Sequence, residues 1–138
     1  MIKKRLRYPL SETIGDSIRS RTERPLAELT LDNLRLGLLA PEDFLIHSEA
    51  LKLQAQIARA GGYRQLASNL LRAAELVDIP NEKLLSMYNA LRPNRSTYEQ
   101  LTSLADELQN VYNAEETAKL LREAAEIYKM FGLCLAGS

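Results

Sequence analysis

From residue 30 onward the apolar residues of this chain recur at spacings of three and four, in successive runs punctuated by glycine or proline. That period belongs to the α-helix and not to the two-residue alternation of a half-buried strand. Thr30 can cap a short helix in "LDNLRLGLL", which Pro41 would end. Ser48 begins "SEALKLQAQIARAGG", where Leu51, Ala55 and Ala58 form one row and Ala50, Leu53 and Ile57 lie beside it. Gly61 and Gly62 close this run in the left-handed conformation that glycine tolerates. The spacing predicts a further helix over about 63–77, with Leu66, Leu70, Ala74 and Val77 on one face. Pro80 suits the first turn of the next, which carries Leu84, Tyr88 and Leu91.

The stretch "YNALRPNRSTYEQL" (88–101) separates that helix from its successor. Pro93 disfavours the helical conformation for Arg92, so the helix should stop near Leu91. Ser96 and Glu99 have the spacing of a capping box. Leu101, Leu104, Ala105, Leu108 and Val111 then mark a helical face, and Leu121, Ala124, Ile127, Tyr128 and Phe131 mark another within about 114–131. No segment reads as a strand pair. The expected fold is all-α: helical hairpins over residues 30–138, behind an irregular N-terminal arm over residues 1–29.

The arm has no sustained periodicity and holds few large apolar residues, namely Ile2, Leu6, Tyr8, Leu10, Ile14, Ile18, Leu26 and Leu29. Burying each contributes on the order of 2 kcal/mol, whereas fixing the backbone costs about 1–2 kcal/mol per residue. Such a segment does not order itself; it is disordered or lies across another surface. Tyr8 followed by Pro9 is a plausible anchor into a partner's groove.

Charge excludes some function classes. Lys plus Arg and Asp plus Glu both number 18, so the chain is no polyelectrolyte. Residues 1–24 nevertheless carry +4 and the remainder −4. A basic arm can meet nucleic acid or an anionic surface; a solubilising tail is the commoner role. A nucleic-acid binder using "KKRLR" is further weakened by the acidic remainder and the lack of a basic recognition helix. The basic start is not followed by the apolar core of a signal peptide, and no segment approaches a membrane span. One cysteine, Cys134, allows no intrachain disulfide, which suits a reducing compartment and a cytoplasmic address.

The catalytic inventory is thin. With one His and one Cys, no zinc site of Cys and His ligands can be built. His47 precedes Ser48 as a polar residue near a helix start, and Cys134 has no base in view. Gly61-Gly62 follows a helix and not a strand, so it is no phosphate loop. The pairs Glu42-Asp43, Asp106-Glu107 and Glu115-Glu116 fall at helix starts or on polar faces, without the cleft that general acid–base chemistry needs. These residues predict no catalytic, cofactor-binding or metal site.

The wording of the chain resembles the small subunit of adenosylcobalamin-dependent diol and glycerol dehydratases. The resemblance runs through "YPL" (8–10), "LTLDN" (29–33), "PEDFLI" (41–46) and "LKLQAQIA" (51–58). It continues through "RAAELVDIPNEKLLSMYNALRPNRST" (72–97), "LADELQ" (104–109) and "REAAEIY" (122–128). It implies a multihelical, non-catalytic subunit in a dimer of heterotrimers with large and medium subunits. The holoenzyme dehydrates glycerol or a 1,2-diol to an aldehyde by radical chemistry. Adenosylcobalamin sits between the other two subunits and the substrate in the large, barrel-shaped one. The family often resides in bacterial microcompartments, although no segment here reads as an encapsulation helix. Partner-binding candidates are Tyr8, Pro9, Arg92 and Arg95. Arg92 lies at a helix C-terminus, where the dipole favours a cation, whereas Arg95 precedes a helix N-terminus, where the dipole opposes one. A carboxylate or carbonyl of the large subunit would give Arg95 its reason; a solvated surface arginine is the alternative. A stand-alone helical adaptor for proteins or peptides is the competing function.

Overall fold

The computed structural model describes residues 6–136; most of the basic stretch "KKRLR" lies outside them. The architecture is all-α, as the periodicity predicts. Helices α1 (Leu10–Ile14), α2 (Leu31–Arg35), α3 (Ser48–Ala60), α4 (Arg64–Val77), α5 (Asn81–Ala90), α6 (Tyr98–Tyr112) and α7 (Glu115–Phe131) follow in order. Among the described residues the only β pairing is two isolated bridges, Arg19 with Pro25 and Ser20 with Ile46. No helix there is long and apolar enough to cross a membrane. The chain divides into two compact units, one ending at Val77 and the other starting at Asp78.

In the first unit α3 and α4 form a hairpin whose seam is alanine. Ala55, Ala58, Ala67 and Ala74 are buried, with Leu70 and Leu71 packed against the first three. The turn is a glycine cap: Gly62 takes φ +85 and its N–H bonds Arg59 O, while Tyr63 N–H bonds Ala58 O. Gly61, expected to be left-handed as well, keeps an ordinary φ of −82, and a Cβ there would stand 3.2 Å from the exposed ring of Tyr63, which would have to give by a few tenths of an ångström.

Residues 6–29 hold α1 and two 3-10 turns, Gly15–Ser17 and Leu26–Glu28. They are tied to the segment before α3. Arg21 N–H bonds Leu45 O at 2.9 Å, and the Arg24 guanidinium bonds Leu38 O at 2.9 Å. Asp43, only 6% exposed, accepts from the Thr22 hydroxyl and from the Ala40 amide at 2.8 Å.

The second unit is built on the α6/α7 hairpin. Leu101, Leu108 and Leu121 are fully buried, each contributing roughly 1.5–3 kcal/mol. Ala105, Ala114, Ala118 and Ala125 are equally inaccessible and let the two helices approach closely. Arg122 pairs with Asp106 at 2.7 Å across the hairpin, and Lys83 of α5 pairs with Glu107.

Four expectations need correcting. Helix α2 ends at Arg35 instead of running to Pro41, because Gly37 adopts φ +70 and closes a complete glycine cap, Gly37 N–H to Leu34 O and Leu38 N–H to Asn33 O. Helix α6 is capped by Thr97 and Gln100, one position later than the Ser96–Glu99 box. Thr97 Oγ1 accepts the Gln100 amide and Gln100 Oε1 accepts the Thr97 amide, while buried Ser96 donates its hydroxyl to Ala90 O. On α5 the inward residue is Met87, and Tyr88 is 54% exposed. On α7 the buried row is Thr117, Ala118, Leu121 and Ala125, which leaves Ile127 and Phe131 facing out.

Candidate functional site

Tyr8 and Pro9 lie at the N-terminal edge of α1, both exposed, with a cis peptide bond between them. Tyr8 is 67% exposed and lines an apolar groove of about 420 Å3 with Ile57, Ala58, Tyr63, Leu66 and Leu70. Tyr63 and Leu66 are themselves largely exposed. This groove was not readable from the sequence, because Tyr8 and the rest of its wall lie about fifty positions apart.

Arg92 and Arg95 share the α5–α6 turn in the second unit, both exposed. Neither guanidinium has a hydrogen-bond or ion-pair partner among the described residues. The backbone beneath them is nonetheless firmly held. Asn94, at φ +60, donates its N–H to Leu133 O at 2.8 Å, and Ser96 O accepts from Leu135 N–H at 2.9 Å. Ser96 Oγ bonds Ala90 O at 3.0 Å, and the Tyr128 hydroxyl donates to Leu91 O. Two unneutralised cations are thus presented on a rigid loop, which lowers the ordering cost of binding an anionic or carbonyl partner.

The remaining polar residues have structural partners. Asp43 is held below the usual carboxylate range by the Thr22 hydroxyl and the Ala40 amide, with Arg24 assisting and burial opposing. Lys52 lowers the carboxyl of Glu49 in the same way, by hydrogen bond and charge. Tyr98 is raised, first because its hydroxyl donates to Glu126, then by burial and by the charges of Glu126 and Glu99; Lys129 stands 4.5 Å above its ring. His47 is the N-cap of α3 and contacts Glu23. Cys134 is a half-buried thiol in the segment after α7. Among the described residues no cluster of three His, Cys, Asp or Glu side chains is placed to hold a metal ion.

What the surface offers is apolar. Leu31, Leu34, Leu36 and Leu38 on and after α2 are exposed, as are Phe44, Leu45 and Ile46. In the second unit Leu85, Val111, Ile127, Met130 and Phe131 are at least half exposed. Large exposed apolar patches mark sites of protein contact. Sequence periodicity assigned Val111, Ile127 and Phe131 to the core; for Ile127 and Phe131 the signal that could have placed them outside is the parallel row of alanines on α7.

The dehydratase small subunit family model matches residues 3–132. The propanediol dehydratase small subunit of Citrobacter freundii is 41% identical over 121 residues, covering 88% of this chain and 70% of that protein. The protein of the same name from Salmonella typhimurium (strain LT2) is 42% identical over the same shares. On the extent of these matches the chain belongs to the dehydratase small subunit family.

Proposed function

We propose that this chain is the non-catalytic small subunit of a cobalamin-dependent dehydratase acting on a 1,2-diol or glycerol, and that its task is to complete the assembly. The observation that carries this reading is the family match along residues 3–132, joined by two relatives named as propanediol dehydratase small subunits. The partners are a large and a medium subunit in a dimer of heterotrimers, and the setting is the bacterial cytoplasm or a microcompartment within it. The exposed leucines of α2 and the outward face of α7 support a role in binding other chains. Tyr8 and Pro9 beside the apolar groove, and the unneutralised Arg92 and Arg95, are the contact residues we assign.

Adenosylcobalamin does not fit the described residues of this chain. Its one imidazole, His47, has both nitrogens engaged, by the Glu49 amide and the Glu23 carboxylate. The cleft beside it, lined by Ser17, Arg19, Glu23 and Glu49, has a volume of 260 Å3, too small for a corrin and its nucleotide. This supports placing the cofactor, which supplies the radical when bound, on the other subunits.

Affinity purification of the tagged chain from its native host tests the reading. A barrel-type large chain and a medium chain should accompany it in fixed proportion, and the eluate should dehydrate a 1,2-diol when adenosylcobalamin is added. A stable monomer that ignores both chains on co-expression would overturn the proposal and favour a stand-alone adaptor.

A further inference from the structure

His47 joins two segments of the first unit through its two ring nitrogens. Nδ1 lies 3.1 Å from the backbone nitrogen of Glu49, and Nε2 lies 3.0 Å from Glu23 Oε1. An amide can only donate, so Nδ1 must present its lone pair. The single ring proton of neutral His47 therefore sits on Nε2, directed at the carboxylate. Glu49 is in the first turn of α3, where backbone amides lack helical partners, and the ring serves as its cap. Glu23 is placed for this contact at some cost: it adopts φ +65, a conformation that non-glycine residues rarely hold.

A second proton can enter only at Nδ1, where it turns an acceptor into a donor. The Glu49 amide then faces another N–H, and a cation stands at the positive end of the α3 dipole. The Glu23 contact behaves differently, because Nε2 donates in both states and the added charge strengthens the bond. We propose that His47 is a proton-operated latch. Neutral, it fastens the 20–24 turn to the N-terminus of α3; protonated, it stays with Glu23 and releases the first turn of α3.

The charged groups around the ring agree with this division. Glu23 approaches from the turn. Glu49 approaches from α3; its carboxylate bonds Lys52 at 2.8 Å and feels the charge of the ring only as a smaller influence. Arg19 lines the cleft beside the ring, with its guanidinium donating to the carbonyls of Asp16 at 2.9 Å and Ile18 at 3.2 Å. Glu23 is thus the anion best placed to retain the charged ring. The His47 side chain is 28% exposed, so solvent protons reach it.

His47 is the single histidine of the chain, so its ring resonances are unambiguous. The test is nitrogen-15 NMR of the full chain, titrated between about pH 8 and pH 5, where imidazoles charge. At the alkaline end Nε2 should carry the proton and Nδ1 should not. On acidification the Glu49 amide proton should move upfield with the same midpoint as the ring. Its exchange, corrected for intrinsic pH dependence, should rise roughly fivefold, the value of a typical N-cap. In His47→Asn, a cap that does not titrate, the Glu49 amide should stay fixed across the range. The opposite tautomer, a Glu49 amide indifferent to ring titration, or an unchanged response in His47→Asn would each overturn the latch.

Discussion

The hydroxyl of Tyr128, on α7, donates to the carbonyl of Leu91, the residue that closes α5, at 2.5 Å. The turn that follows carries Arg92 and Arg95. This bond is one of four that hold the turn, the others being Asn94 N–H to Leu133 O, Leu135 N–H to Ser96 O, and Ser96 Oγ to Ala90 O. Three of the four bonds come from Tyr128, Leu133 and Leu135, far from the arginines in sequence.

Replacing Tyr128 by Phe removes only the hydroxyl and leaves the Leu91 carbonyl without that donor. The expected loss is about 1–2 kcal/mol, read as a lower urea midpoint with unchanged slope. Because the ring remains, the circular dichroism of the folded protein should match the wild type.

The cap of α6 separates two neighbouring readings of the same stretch. Thr97→Ala should cost about 1 kcal/mol, since it removes one half of the Thr97–Gln100 box. Glu99→Ala should change stability by less than about 0.5 kcal/mol, as befits an exposed position outside that box. Equal losses at Thr97 and Glu99 in thermal unfolding would contradict the observed register.

Asp43 makes the first unit sensitive to acid. Its carboxyl is held below the ordinary range by Thr22, Ala40 and Arg24. A group depressed in the folded state contributes its full stabilisation above the unfolded carboxylate range, near pH 4, and loses it as pH falls through the lower folded value. Stability measured from about pH 5 downward should therefore fall more steeply in the wild type than in Asp43→Asn. Parallel profiles would remove Asp43 as the cause.

Arg95→Glu should reduce recovery of the large subunit in co-purification several-fold while leaving helical content unchanged. Among the described residues its side chain makes no hydrogen bond or ion pair that the change would break. Equal recovery would take Arg95 out of the interface and leave it as a solvated arginine.

Helix placement was largely legible in the sequence because breakers bound the long helices: Gly62 behind α3, Pro80 ahead of α5 and Pro93 after it. Helix faces were less so. Periodicity weights bulk, and on α7 the bulky row of Ile127 and Phe131 competes with the small row of Ala118 and Ala125. Close approach of two helices selects the small row, and the bulk is turned outward. The Ser96–Glu99 reading failed for a related reason: the buried Ser96 hydroxyl is spent on Ala90 O, six residues back, and Thr97 inherits the cap. The candidate residues could be named from the chain, but not their surroundings. Tyr63 beside the Tyr8 groove and Glu23 against His47 are long-range meetings that no local pattern announces.

The alanine seams bear on how such a chain changes over generations. A methyl group at a helix crossing tolerates neither loss nor growth, so Ala55, Ala67, Ala105, Ala118 and their neighbours are pinned in place. The outward leucines, Ile127, Met130 and Phe131 carry no such obligation to their own hairpins. A lineage can rewrite them to follow a drifting neighbour while each hairpin closes as before.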